Sequence, residues 1–202
     1  AGVSTVSSGN FELLALEIQQ GNFLAPPGTM TFGAKMDIKS LNYSGGFFVH
    51  AAGSFLHNNG LVVMNHTTDM NDGRRPLFFG ADSGNIHLYN LTIDLYGDID
   101  GSSAGRDGMY IGMHPGTDLV IENDFKIFNG GFRPDHASTV EIWGDFHMTC
   151  TDIVVEIWAA SLYTAILLLT LIDSSVYTDS CIENLLVSLR VNAPGGVVSI
   201  NS

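Results

Sequence analysis

A short phrase of alternating apolar residues, ending on asparagine or another small residue, returns along this chain at nearly constant spacing. It reads Phe55-Leu56-His57-Asn58-Asn59, Ile86-His87-Leu88-Tyr89-Asn90 and Leu119-Val120-Ile121-Glu122-Asn123. It continues as Val140-Glu141-Ile142-Trp143-Gly144, Ser161-Leu162-Tyr163-Thr164 and Cys181-Ile182-Glu183-Asn184. The markers at 59, 90, 123, 144, 164 and 184 are 31, 33, 21, 20 and 20 residues apart. A unit near twenty residues cannot bury its apolar side alone, whereas stacked units bury a continuous core. The expected fold is therefore all-β: a single-domain parallel β-helix (β-solenoid) with rungs of about 20 residues, two of them enlarged by loop insertions.

Other strands fit the same frame. Phe47-Phe48-Val49, Leu77-Phe78-Phe79 and Met109-Tyr110-Ile111 precede the phrase, each followed by a glycine expected to turn a corner, at Gly53, Gly84 and Gly116. Leu61-Val62-Val63-Met64, Phe125-Lys126-Ile127-Phe128 and Leu185-Leu186-Val187 follow it. Glycine and asparagine tolerate the left-handed backbone that tight corners need. Extending the period places further strands at Leu16-Glu17-Ile18-Gln19, Met36-Asp37-Ile38-Lys39 and Val197-Val198-Ser199-Ile200-Asn201. The 202 residues suffice for one domain, with residues 1–21 serving as an N-terminal cap or an edge strand.

Gly53-Ser54-Phe55-Leu56-His57-Asn58-Asn59-Gly60-Leu61-Val62-Val63-Met64-Asn65 resembles the rung motif of bacterial surface-exposed and secreted right-handed parallel β-helix proteins. The match covers one rung, and the others share only its rhythm. The resemblance implies an extracellular or cell-surface, adhesin-like or filament-like protein. It carries over no catalytic residues, because the motif is structural.

Eight basic against twenty-one acidic residues give a net charge of −13, which repels a phosphate backbone or an anionic membrane surface. Nucleic acid is excluded as a partner on this ground, and cations or basic surfaces are favoured. An opening on Ala1 with no leader fits a secreted chain whose signal peptide has been removed. Residues 153–172 are nearly all apolar, but Glu156 interrupts them, Asp152 and Asp173 flank them, and no lysine or arginine borders them, so no membrane span is expected. Cys150 and Cys181 lie about one and a half rungs apart, and no bridge is expected between them.

Four sets of residues stand out as candidate sites. Asn59, Asn90, Asn123 and Asn184 fall at rung corners, where side-chain amides can bond from one rung to the next in a structural ladder. Asp69, Asn71, Asp72, Asp98 and Asp100 sit in two loops that resemble the opening of oxygen-rich calcium sites, though without the full spacing or a distal glutamate. Such runs also serve as plain solvated turns. Asp82, Asp107 and Asp135 would be the acids of a polysaccharide hydrolase or lyase, the enzymatic alternative. No nucleophile triad, zinc spacing or phosphate loop accompanies them. Lastly, Leu167, Leu168 and Leu169 lose polar alternation, and Val197, Val198 and Ile200 form an uncharged strand edge, so both groups are candidates for head-to-tail self-association into a homopolymer. The remaining alternative is a binding module of a larger surface or virion assembly, with polysaccharide or a cell surface as partner. Sequons at Asn42, Asn65 and Asn90 are too few to argue glycosylation.

Overall fold

The computed structural model describes residues 3–5, 9–13, 15–32, 46–65, 67–69, 77–81, 85–94, 96–98, 110–113, 116–129, 131–133, 139–148, 156–157, 168–172, 176–179, 188–192 and 199–201. Every regular element among them is a β-strand, and every pairing is parallel. Sheet I runs in the order β1 (Val3–Thr5), β3 (Leu16–Leu24), β5 (Gly46–Leu56), β8 (Leu77–Ala81), β12 (Tyr110–Met113), β15 (Gly131–Arg133) and β18 (Glu156–Ile157). Sheet II runs β2 (Phe11–Leu13), β4 (Thr29–Phe32), β6 (Leu61–Met64), β10 (Asn90–Asp94), β14 (Phe125–Asn129), β17 (Phe146–Met148), β20 (Val176–Asp179) and β22 (Ser199–Asn201). Sheet III runs β9 (Asn85–Leu88), β13 (Asp118–Ile121), β16 (Val140–Ile142), β19 (Leu168–Ile172) and β21 (Ser188–Asn192), and a two-stranded piece joins β7 (Thr67–Asp69) to β11 (Tyr96–Asp98).

From β13 to β19 the chain visits sheets III, II and I in turn, and each time returns to III one strand further along. Parallel neighbours force this circuit, because a tight hairpin can join only antiparallel strands. In-register pairing then stacks like upon like. In sheet II, Met30, Val62, Leu91, Phe125 and Phe146 form one column, and Phe32, Met64, Ile93 and Ile127 form the next. In sheet III the columns are Ile86, Leu119 and Val140, and Leu88, Ile121 and Ile142. All are buried, and with Ile18, Phe47, Val49 and Ala81 of sheet I they make one apolar core. Outward positions between them, such as Thr31, Val63, Thr92 and Lys126, are half-buried, as the period of two requires. Aromatic rings pack against one another both within a sheet and between sheets I and II. Phe47 meets Phe32 and Phe55 edge-on at 5.8 and 4.9 Å, while Phe125 meets Phe132 at 5.4 Å and Phe146 at 5.2 Å.

Three features of register depart from the expectation. Gly53 is not a corner: it lies inside β5, opposite Gly21 of β3. Gly116 does turn left-handed, at φ 76°. Asn90 lies opposite Leu61 rather than Asn59, because Asn58 and Asn59 form a left-handed turn (φ 47° and 57°) that lengthens this corner. The strand stacked on Val140–Ile142 is Leu168–Ile172, with Leu169 opposite Val140, and the strand after it is Ser188–Asn192. Among the described residues sheet III thus steps by 29 and then by 20 residues from 140 to 169 to 189, and the phrases at 161–164 and 181–184 lie outside the described residues. Leu169-Thr170-Leu171 satisfies the same apolar alternation as the phrase, which is why an apolar run leaves the frame ambiguous.

The first 21 residues contribute β1, β2 and most of β3 to the sheets. Among the described residues no helix is long and apolar enough to cross a membrane. Residues 33–45, Gly84, Cys150, Cys181 and Leu185–Val187 lie outside the described residues.

Candidate functional site

The corner leading from sheet III to sheet II carries the asparagine pairing. Because Ile121 stacks on Leu88, the backbone N–H of Asn123 reaches the Tyr89 carbonyl at 2.8 Å. Their side chains are thereby placed one above the other: Asn123 Nδ2 donates to Asn90 Oδ1 at 2.8 Å, and the same oxygen accepts the Asp124 N–H at 3.0 Å. Asn10 Oδ1 accepts the Thr29 N–H in the same way, at 2.9 Å. Asn59 stays out of this arrangement. Its N–H bonds His57 Nδ1 at 3.0 Å, and the neighbouring Asn58 Nδ2 reaches the Ala25 carbonyl at 3.1 Å. Asn184 lies outside the described residues. At the next level the corner residue is Gly144, where a Cβ would stand 2.1 Å from the Asn123 carbonyl oxygen. The close approach of the two backbones therefore ends the pairing at Asn123.

Beside the same region a cleft of about 400 Å3 opens between β5 and β9, reaching down to side chains of the core. Val49, Phe55, Ala81 and Ile86 supply apolar lining, and His57, Asn58, Asn85, His87 and Glu122 supply polar groups. Glu122 is the hub. His57 Nε2 lies 3.2 Å from its Oε2, and His87 Nδ1 lies 3.2 Å from its Oε1. Since His57 Nδ1 accepts the Asn59 N–H, the neutral ring carries its proton on Nε2 and donates it to Glu122. A carboxylate accepts only, so His87 donates through Nδ1.

Aromatic side chains brace the two imidazoles. Tyr89 stacks on His57 at 5.7 Å, and Trp143 meets His87 edge-on at 6.4 Å. Trp143 is 41% exposed, and its indole N–H is held by Glu141 Oε1 at 2.7 Å. Val120, between His87 and Glu141 on the outward side of sheet III, is buried even so. His57, His87, Glu122, Tyr89, Trp143 and Glu141 thus contact one another in pairs.

The other expected sites meet the structure only in part. Asp69 and Asp98 are register partners in the β7–β11 pair, whereas Asn71, Asp72 and Asp100 lie outside the described residues. So do the acid candidates Asp82, Asp107 and Asp135. Among the described residues no group of three His, Cys, Asp or Glu side chains is arranged to hold a metal ion. Leu168 and Leu169 belong to β19, whose two edges are taken by β16 and β21. Ile200 lies opposite Tyr177 in β22, the last strand in the order of sheet II, and Leu167, Val197 and Val198 lie outside the described residues. Of the sequons, Asn90 is engaged with Asn123, Asn65 is half-buried with its N–H on the Phe32 carbonyl, and Asn42 lies outside the described residues.

The cleft was not singled out from sequence. Its three ionisable residues, His57, His87 and Glu122, are members of three successive phrases, and each alone passes for an ordinary polar position in a structural repeat. The available signal was that all three phrases carry an ionisable side chain among their apolar residues. No family model, no curated protein and no solved structure matches this chain, so what it does has to be argued from its own geometry.

Proposed function

We propose that the chain forms one parallel β-solenoid that acts as an extracellular structural or adhesive protein, assembling end to end with further copies of itself. The observation that carries this reading is the strand order of sheet III, β9-β13-β16-β19-β21, in which each circuit of the chain adds one parallel strand. Sheets I and II grow in the same direction. Among the described residues β1 and β2 have a neighbour on one side only, as do β21 and β22. Such edges present unpaired N–H and C=O groups to another chain. Joining unlike edges is a heterologous contact, which extends into open filaments. The rung motif at Gly53–Asn65 supports the extracellular placement by resemblance.

Sedimentation velocity and negative-stain microscopy of the purified chain should reveal concentration-dependent polymers with the width of one molecule. Removing residues 197–202 should shorten them and leave the far-ultraviolet β spectrum intact. A monodisperse monomer at every accessible concentration contradicts the assembly.

A further inference from the structure

We propose that the cleft between β5 and β9 docks a short extended peptide segment that carries a lysine or an arginine. The inference goes beyond the assembling scaffold and does not depend on it, since it rests on a step in the side of the stack and not on its ends.

The step comes from circuit length. Phe47, Phe79 and Met113 are register partners in sheet I, and Val62, Leu91 and Phe125 are register partners in sheet II. Between these two columns the chain advances 15 positions from Phe47 to Val62, but 12 from Phe79 to Leu91 and 12 from Met113 to Phe125. The two equal circuits pair on the side between the columns, as β9 with β13. The longer circuit does not follow them: β9 ends the order of sheet III, and among the described residues no backbone hydrogen bond joins it to β5.

Two strand edges therefore face each other across the cleft. Backbone groups of alternate residues in a strand point to opposite edges. The Leu88 carbonyl accepts the Glu122 N–H on the β13 side, so the N–H and C=O of His87 point towards β5. The Leu56 carbonyl accepts the Ala25 N–H on the β3 side, so those of Phe55 point towards β9. Such edges accept an added strand, whose main chain repeats donor and acceptor at the same spacing. The side chains of Phe55 and Ile86 belong to the core, so recognition falls to the backbone. Pairing of β5 with β8 and of β6 with β10 closes the opening at both ends, and β9 is four residues long. A segment of about four residues fits this length, and a long strand does not.

Charge selects the side chain. Among the described residues no lysine or arginine lines the cleft, whereas Glu122 does. Each Glu122 oxygen takes one imidazole N–H and keeps a further lone pair. A lysine or arginine on the peptide meets that carboxylate within a chain of net charge −13, and an acidic segment is repelled by both. A bare cation would use the carboxylate and leave both edges unpaired.

The test is amide hydrogen exchange of the full chain, read by mass spectrometry with fragmentation, with and without a blocked hexapeptide of alternating valine and threonine carrying one central lysine. Saturating peptide should slow exchange of the Phe55 and His87 amides by roughly tenfold or more. By calorimetry, the same peptide N-methylated at alternate residues, and the same peptide with glutamate for lysine, should each bind at least roughly tenfold more weakly. Glu122→Gln should weaken the lysine peptide to a similar degree, and if that variant unfolds the peptide series on the unaltered chain decides. Protection at Phe55 and His87 reads the same in polymer or monomer, so it fails separately from the assembly. Protection confined to β21 and β22 would place the peptide at the end of the stack and overturn the proposal. So would an absence of binding, or equal binding of the N-methylated peptide or of lysine amide alone.

Discussion

Replacing Gly144 with alanine is expected to cost about 3 kcal/mol or more, beyond the usual 1 to 3 kcal/mol of an overpacked core position. The reason is local. The Cβ would stand 2.1 Å from the carbonyl oxygen of Asn123 and 2.5 Å from its carbonyl carbon, so it meets backbone and not the end of a flexible side chain. That backbone is held in turn: the Asn123 N–H is bonded to Tyr89, and its amide side chain to Asn90. Relief therefore requires neighbouring levels of the stack to separate. Gly116→Ala is the matched control, because nothing lies within 4 Å of its Cβ position and its only penalty is a φ of 76°. That penalty is about 1 to 2 kcal/mol. Urea denaturation of both variants should rank Gly144 well above Gly116, and equal losses would mean the two levels are not packed this closely.

Phe125→Ala should remove about 3 to 5 kcal/mol, the range for truncating a buried phenylalanine and leaving a cavity. Phe125 is 1% exposed, stacks between Leu91 and Phe146 in sheet II, and meets the Phe132 ring of sheet I edge-on. Its loss would loosen contacts both along one sheet and across to another. Against a total stability of roughly 5 to 15 kcal/mol for a domain, that is a large share. Phe128, in the same strand but 40% exposed, should lose less than about 1 kcal/mol on the same change. Thermal or urea unfolding that gave the two phenylalanines similar losses would put Phe125 outside the core.

Strand character and the inward columns were legible because alternation of apolar and polar residues has only one period to fit. Leu88, Ile121 and Ile142 are read from the repeat and found stacked. Asn123 bonds Asn90 from one level to the next, and the phrase keeps its length between them. Asn59 was misjudged by the repeat, since two left-handed residues lengthen its corner without disturbing the alternation on either side. Between Ile142 and Ser188 the apolar run offers several frames of equal quality, and only strand pairing selects Leu169 over the phrase at Ser161. The His57–His87–Glu122 cleft was least legible of all. It depends on side chains 30 and 35 positions apart in the chain meeting across two levels of the fold, and no local pattern encodes that convergence.

The parallel, in-register stacking of successive circuits is tested most directly by methyl contacts between buried residues of sheet III. In a sample labelled at Leu and Ile methyl groups, the Ile121 methyls should show nuclear Overhauser effects to both Leu88 and Ile142, whose backbones lie on either side of it at a strand spacing of about 5 Å. Leu119 should show the same to Ile86. Cross-peaks linking Ile121 to Ile86 and Leu119 to Leu88 would instead report antiparallel pairing of these strands, and would contradict the account.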